Sequence, residues 1–234
     1  WQPGGRVFFS DNGSTAVEVA LKMAYQSWCL RGEPRRTLFV GFENGYHGDT
    51  FGAMAISRDP VFFGRFEPLL FRILKGSVSA DALDDVLKRH LGEVAGVILE
   101  PLVQGAGGMR MHTPAELRGI FAVTRRHNIP FIADEVMTGF GRTGRMFASD
   151  HLRNKPDIIC LSKGLTGGFF PLGATLCTEK IYSAYLTSDR TKTFFHGHSY
   201  TGNILACTAA LASLELFGSE DTMQKVVQLT DKFR

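Results

Sequence analysis

The sequence predicts an α/β fold with a mostly parallel sheet covered by helices on both faces. Three observations carry that prediction. Apolar, β-branched runs bounded by turn residues recur along the chain, several are too continuous to leave one face in water, and helical stripes fall between them. At 234 residues the chain is long enough for one large domain with a sizeable core.

Taken in order, the chain opens on a strand and then shows a helical stripe at Val17, Leu21, Ala24 and Trp28. A strand is expected over residues 37–42. A second stripe follows at Leu83, Val86, Leu87 and Leu91, then a strand over 96–99. The next helix has a marked start. Thr113, Pro114, Ala115 and Glu116 form a capping box with proline at the first helical position, ahead of Leu117, Ile120, Phe121 and Thr124. Strands are expected over 131–133, 158–161 and 174–177, and a fourth helix over 203–217; the chain ends in helical sequence. No internal repeat, low-complexity tract or long linker interrupts this alternation.

Composition narrows the function classes. Hydrophobic residues at 44% and charged residues at 21% argue against disorder. A net charge of +3, with no basic cluster interleaved with aromatics, gives no reason to expect a nucleic-acid partner. No apolar run approaches the roughly 18 residues that span a bilayer, and residues 1–5 resemble no signal peptide. Cys29, Cys160, Cys177 and Cys207 lie scattered in apolar surroundings without paired spacing, so they read as core residues in a reducing compartment. A cytoplasmic protein without membrane association is expected.

Four stretches carry chemistry. In Phe131-Ile132-Ala133-Asp134-Glu135-Val136 two acids emerge from an apolar strand. A nucleotide-hydrolysing site would need a Gly-x-x-x-x-Gly-Lys-Ser/Thr loop, which is absent, and no His-Glu-x-x-His or grouped His/Cys spacing supports a metal. A plain alternative has Asp134 capping the next turn and Glu135 solvated. Lys163, in Ser162-Lys163-Gly164, stands at a strand end where an amine can act as a nucleophile, or simply be an exposed turn residue. Ser10 through Glu18 leads into a helix whose start suits a phosphate, or ordinary capping with Thr15 and Glu18 as a possible box. Tyr46 and His47 follow a strand and can stack on a flat ring, or pack in a loop.

Ligands of open α/β sheets sit beyond the carboxyl ends of the strands, which puts Glu100, Asp134 and Lys163 on one rim. A phosphate cradle, a ring-facing aromatic, a buried acid and a strand-end lysine are together the parts that hold pyridoxal phosphate.

With these motifs, and with Asp134-Glu135-Val136-Met137-Thr138-Gly139-Phe140-Gly141-Arg142-Thr143-Gly144, the chain resembles the class III aminotransferases. The resemblance spans essentially the whole sequence. It implies the large domain of a fold-type I pyridoxal-phosphate-dependent transferase over residues 1–234, without the N-terminal segment and C-terminal small domain of that family. It also implies pyridoxal 5'-phosphate as cofactor, with Lys163, Asp134 and Tyr46 as catalytic residues. Lys163 would carry the cofactor and then the proton, and Asp134 would face the pyridine nitrogen. Gly13 and Ser14 would hold the phosphate, Val136 one ring face, and Tyr46 or His47 the other.

In a homodimer with a shared active site, His198 and Ser199 would reach the neighbouring subunit's phosphate. Gly197, Tyr46 and Lys163 would meet the small-molecule substrates, a keto-acid acceptor and an amino donor. The commoner form at 197–199 is Gly-Pro-Thr, so this chain keeps a hydroxyl and changes the backbone. Glu100 is expected to hold neighbouring loops. Within the class, Glu100 through Met111, and Ala106 where ornithine and 4-aminobutyrate members carry glutamate, resemble the biotin-biosynthesis branch. That branch aminates 8-amino-7-oxononanoate with S-adenosylmethionine as donor. Another class III transaminase with lysine or a different amine as donor, and an inactive domain that binds through the dimer face, are the alternatives.

Overall fold

The alternating runs build a seven-stranded sheet clothed on both faces, and the computed structural model describes residues 5–233 of the chain. The residues 1–4 lie outside that description. The first half contains β1 (Arg6–Ser10), α1 (Gly13–Leu30), β2 (Leu38–Phe42), α2 (Phe51–Ser57), α3 (Pro60–Phe63), β3 (Leu74–Gly76), α4 (Ala80–Arg89) and β4 (Val94–Leu99). A short hairpin follows, β5 (Val103–Gln104) with β6 (Arg110–Met111), then α5 (Pro114–Arg126), β7 (Phe131–Asp134), β8 (Ile158–Leu161) and β9 (Gly173–Cys177). The chain finishes with α6 (Glu179–Tyr182), α7 (Ile204–Ser219) and α8 (Thr222–Lys232).

The strand order is β1-β9-β8-β7-β4-β2-β3. The five strands from β8 to β3 are parallel; β9 runs against β8, and β1 runs against β9. Two reversals return β1 to the common direction. Strands β1, β2, β4, β7 and β8 therefore all end at one rim.

All residues of β2, β4, β7 and β8 are buried, as continuous apolar runs require of a sheet covered twice. Side chains alternate between two cores. Phe131 and Ala133 join Leu83, Leu87, Leu117 and Ile120 of α4 and α5, whereas Ile132 joins Val17, Ala20, Leu21 and Trp28 of α1. Trp28 Nε1 donates to Ala95 O at 2.8 Å, tying α1 to β4. At the opposite rim from the strand ends, Asp157 is buried and accepts from Phe131 N at 2.8 Å and from both terminal nitrogens of Arg125, which joins α5 to β7 and β8.

Several local expectations change. The helix α4 stops at Arg89, and Leu91 lies beyond it, 78% exposed, so the predicted stripe is one turn too long. The start of α1 is boxed by Asn12 and Thr15: Thr15 N donates to Asn12 Oδ1 and Asn12 N to Thr15 Oγ1, each at 3.0 Å. Glu18 is not part of that box. Its Oε1 accepts from Gly52 N at 2.6 Å and Ala53 N at 3.2 Å, capping α2 from a distance where the helix dipole favours a negative charge. The box predicted at Thr113 and Glu116 is present. Strand β3 and the β5–β6 hairpin were not expected, since two- and three-residue strands have no readable period, nor were the short helices α2, α3 and α6; the helical sequence at the chain's end is α8.

Candidate active site

Parallel strand ends bring the chemical groups together. Asp134 is the last residue of β7, Glu100 follows β4, Lys163 follows β8 by two residues, Gly13 and Ser14 open α1 after β1, and the 46–50 loop follows β2. They meet at a cavity of about 590 Å³, lined by Gly13, Ser14, Tyr46, His47, Asp134, Val136 and Lys163 among others. That size suits a small ligand. Asn12, Gly48, Asp49, Thr50, Ala106, Met137 and Ser162 also line it, without having been singled out for a role. Their signal was adjacency, since each flanks or sits inside a quoted motif.

Asp134 is 4% exposed and doubly held: Oδ2 accepts from His47 Nδ1 at 2.7 Å and Oδ1 from Val136 N at 3.1 Å. The turn-capping alternative is thus true of one oxygen, and the other has a resident ion-pair partner. Burial opposes the charged imidazolium of His47, but the hydrogen bond and charge of Asp134, with Glu100 farther away, outweigh it and raise the His47 pKa. His47 N also donates to the hydroxyl of Ser57 at 2.8 Å. With its buried ring bonded to Asp134 and its backbone to Ser57, His47 is committed, which leaves Tyr46 as the candidate for a ligand face.

Tyr46 packs nearly parallel to Phe63, with centroids 6.2 Å apart, and its hydroxyl donates to Asp49 Oδ1 at 2.7 Å. Burial first, then the hydrogen bond and charge of Asp49, push its pKa up to about 12. Ser14 Oγ accepts from Asp49 N at 3.2 Å, linking the helix start to the same loop. Glu100 does what was expected of it: its two oxygens accept from Tyr46 N at 2.9 Å and Gly105 N at 3.1 Å, holding two cavity loops. Burial raises its pKa, with His47 pulling the other way.

Glu135 departs from the solvated reading. It is fully buried and accepts from Thr138 Oγ1 at 2.6 Å, Ser149 N at 2.6 Å and Ala148 N at 3.1 Å, which pins the loop after β7. Burial lifts its pKa despite these bonds. The loop bearing Gly197, His198 and Ser199 does not line the cavity of its own chain. There His198 Nε2 lies 3.2 Å from Asp11 Oδ1.

The residues present fit pyridoxal phosphate. A carboxylate offers about four acceptor sites, and Asp134 uses two, leaving capacity for a ring nitrogen. The helix start at Gly13 is kept bare, because a Cβ there would lie 2.6 Å from Val136 Cγ1. Unbonded N–H groups at such a start attract phosphate. Among the described residues no three His, Cys, Asp or Glu side chains gather into a metal-binding group.

An open α/β sheet with an acid, a lysine and a bare helix start on one rim is the fold of the pyridoxal-phosphate-dependent aminotransferases. Solved structures share it: adenosylmethionine-8-amino-7-oxononanoate aminotransferase from Methanocaldococcus jannaschii superposes with a TM-score of 0.90 at 43% identity, covering 94% of this chain and 52% of that one. An amine transaminase from an uncultivated Pseudomonas species, solved with pyridoxal phosphate bound, gives 0.86 at 38% identity, covering 92% and 53%. Residues 1–234 match the class-III aminotransferases, and the chain belongs to that family. Among its relatives, the adenosylmethionine-8-amino-7-oxononanoate aminotransferase of Synechococcus elongatus is 51% identical over 90% of this chain and 53% of the relative. The chain spans about half the length of the relatives it matches.

Proposed function

We propose that this chain is the cofactor-holding part of a pyridoxal-phosphate-dependent transaminase that converts 8-amino-7-oxononanoate to 7,8-diaminononanoate in biotin biosynthesis, with S-adenosylmethionine as amino donor. One observation carries the chemistry: Asp134 and Lys163, from adjacent parallel strands, line one cavity with the bare start of α1. Relatives at 40–51% identity bearing the name of that enzyme support the substrate.

Bound pyridoxal phosphate supplies an electrophilic carbon and a protonated ring that draws off electrons. The chain's residues supply the rest. Gly13 and Ser14 bind the phosphate, Val136 and Tyr46 cover the ring, and Asp134 faces its nitrogen while the hydrogen bond from His47 orients that carboxylate. Lys163, exposed at the cavity, holds the cofactor and then moves a proton at its Nζ. Tyr46 and Lys163 form the substrate side, and Gly197 joins it from the other copy in a homodimer.

A homodimer completes the reading, with His198 and Ser199 of each copy turned to the other's phosphate. The bare apolar surface of α7 supports it: Ile204, Leu205, Leu211 and Leu216 are 80%, 64%, 62% and 52% exposed. A cytoplasmic location fits the four free cysteines, and no helix among the described residues is long and apolar enough to cross a membrane.

The experiment is borohydride reduction in the presence of pyridoxal phosphate, followed by peptide mapping, with half-reactions against S-adenosylmethionine and against lysine. Label on Lys163 and turnover with S-adenosylmethionine are expected. Turnover with lysine alone would move the chain to another donor within the family, and an unlabelled Lys163 would overturn the proposal.

A further inference from the structure

Lys163 occupies a backbone conformation that lysine avoids. Its φ of 46° lies in the left-handed region, which disfavours a residue bearing a Cβ by about 1–2 kcal/mol. No hydrogen bond or ion pair among the described residues holds its amine, so the turn beneath it decides where the amine sits. Such a conformation persists only where the surroundings enforce it.

The enforcing contact lies on the side away from the cavity. A Cβ on Gly164 would come within 2.8 Å of Phe140 Cβ and 2.9 Å of its Cδ2, so Gly164 is glycine for want of space. Phe140 is buried, itself left-handed at φ 58°, and wedged between the rings of Phe147 and Phe217 at 5.5 and 6.1 Å. From α7, Ser213 Oγ donates to Gly164 O at 3.3 Å. On the other flank, Ser162 Oγ donates to Leu172 O at 2.7 Å. Phe140 does not line the cavity, so ligand contact does not explain it.

We propose that Phe140, seated on Gly164 and backed by Phe217 and Ser213 of α7, is a positioning residue that holds the Lys163 turn and aims its amine into the cavity. This rests on the reading of Lys163 as the cofactor lysine. Aim matters because a displacement of about 1 Å at a reacting group can cost on the order of a hundredfold in rate.

The test compares Gly164→Ala, Ser213→Ala and Phe140→Ala, each in the full chain. One measurement counts pyridoxal phosphate reduced onto Lys163 by borohydride. The other follows methylation of Lys163 by formaldehyde and cyanoborohydride without cofactor, relative to Lys75 and Lys180, by peptide mass spectrometry. In Gly164→Ala, capture at Lys163 should fall roughly tenfold while methylation stays within about twofold, an amine that is available but misaimed. Phe140→Ala takes away the seat itself and should lower capture about as far as Gly164→Ala does. Ser213→Ala should lower capture about twofold to threefold, and it decides the matter if Gly164→Ala unfolds and every lysine methylates faster. Wild-type capture in all three variants overturns the clamp and leaves the function standing. No capture at Lys163 by the wild type overturns the function and the clamp with it.

Discussion

Removing the charge of Asp134 should reveal how the site is held together. Asp134 and His47 are 4% and 5% exposed and share a 2.7 Å hydrogen bond, while the second carboxylate oxygen takes Val136 N. Asp134→Ala strips both acceptors and leaves a buried imidazolium without its partner, a loss of roughly 3–5 kcal/mol. Asp134→Asn keeps the shape and one good acceptor, so it forfeits only the charge-assisted part, about 1–2 kcal/mol.

The pH dependence follows from the raised pKa of His47. Its proton stabilises the wild type fully below the unfolded value, about 6.5, and that contribution is lost as pH rises through the folded value. In either variant the pull of Asp134 is gone and only the charge of Glu100 still opposes burial, so the His47 pKa falls and its contribution shrinks. The stability gap should therefore be widest near pH 6 and narrow towards pH 9. Urea unfolding at both pH values measures the gap, and an NMR titration assigned with His47→Gln locates the histidine. A gap that is equal at the two pH values, or an unmoved His47 titration in Asp134→Asn, refutes the reasoning. Transamination by Asp134→Asn should drop on the order of a hundredfold or more, beyond what its stability explains.

Three further outcomes follow. Lys163→Ala should remain within about 0.5 kcal/mol of wild-type stability, because the side chain is exposed and unbonded, while losing all cofactor capture; thermal melting and borohydride labelling check both halves. Glu18→Ala should lose about 1–2 kcal/mol in urea unfolding, since Gly52 N and Ala53 N at the start of α2 lose their acceptor; a neutral result would mean water replaces it. Asp157→Ala should lose about 1–3 kcal/mol, chiefly by leaving the buried Phe131 N unpaired, since Arg125 is 34% exposed and can turn to water, and Asp157→Asn less; equal losses would show that the acceptor is not what matters there.

Much of the site was legible in one dimension because open α/β sheets gather ligands at one edge. Asp134, Glu100 and Lys163 each follow an apolar run, and parallel pairing from β8 to β3 was enough to put them side by side. What each acid does was not legible. Asp134 and Glu135 are neighbours with the same strand behind them, yet one faces the cavity with His47 and the other is folded into the 138–149 loop. The part of Glu18 was misread for a similar reason: its spacing from Thr15 suits a local box, while its actual partners are 34 and 35 residues away.

The sequence alone determined the order of the longer strands and helices, their two-sided burial, and which residue types stand at the strand ends, because periodicity and turn chemistry are local. Only the tertiary structure decided that β1 returns to the common direction through two antiparallel neighbours, that His47 belongs to Asp134, and that Phe140 lies beneath Gly164. Those depend on pairings between residues far apart in the chain. Their free energy exists only once the whole sheet has closed around them.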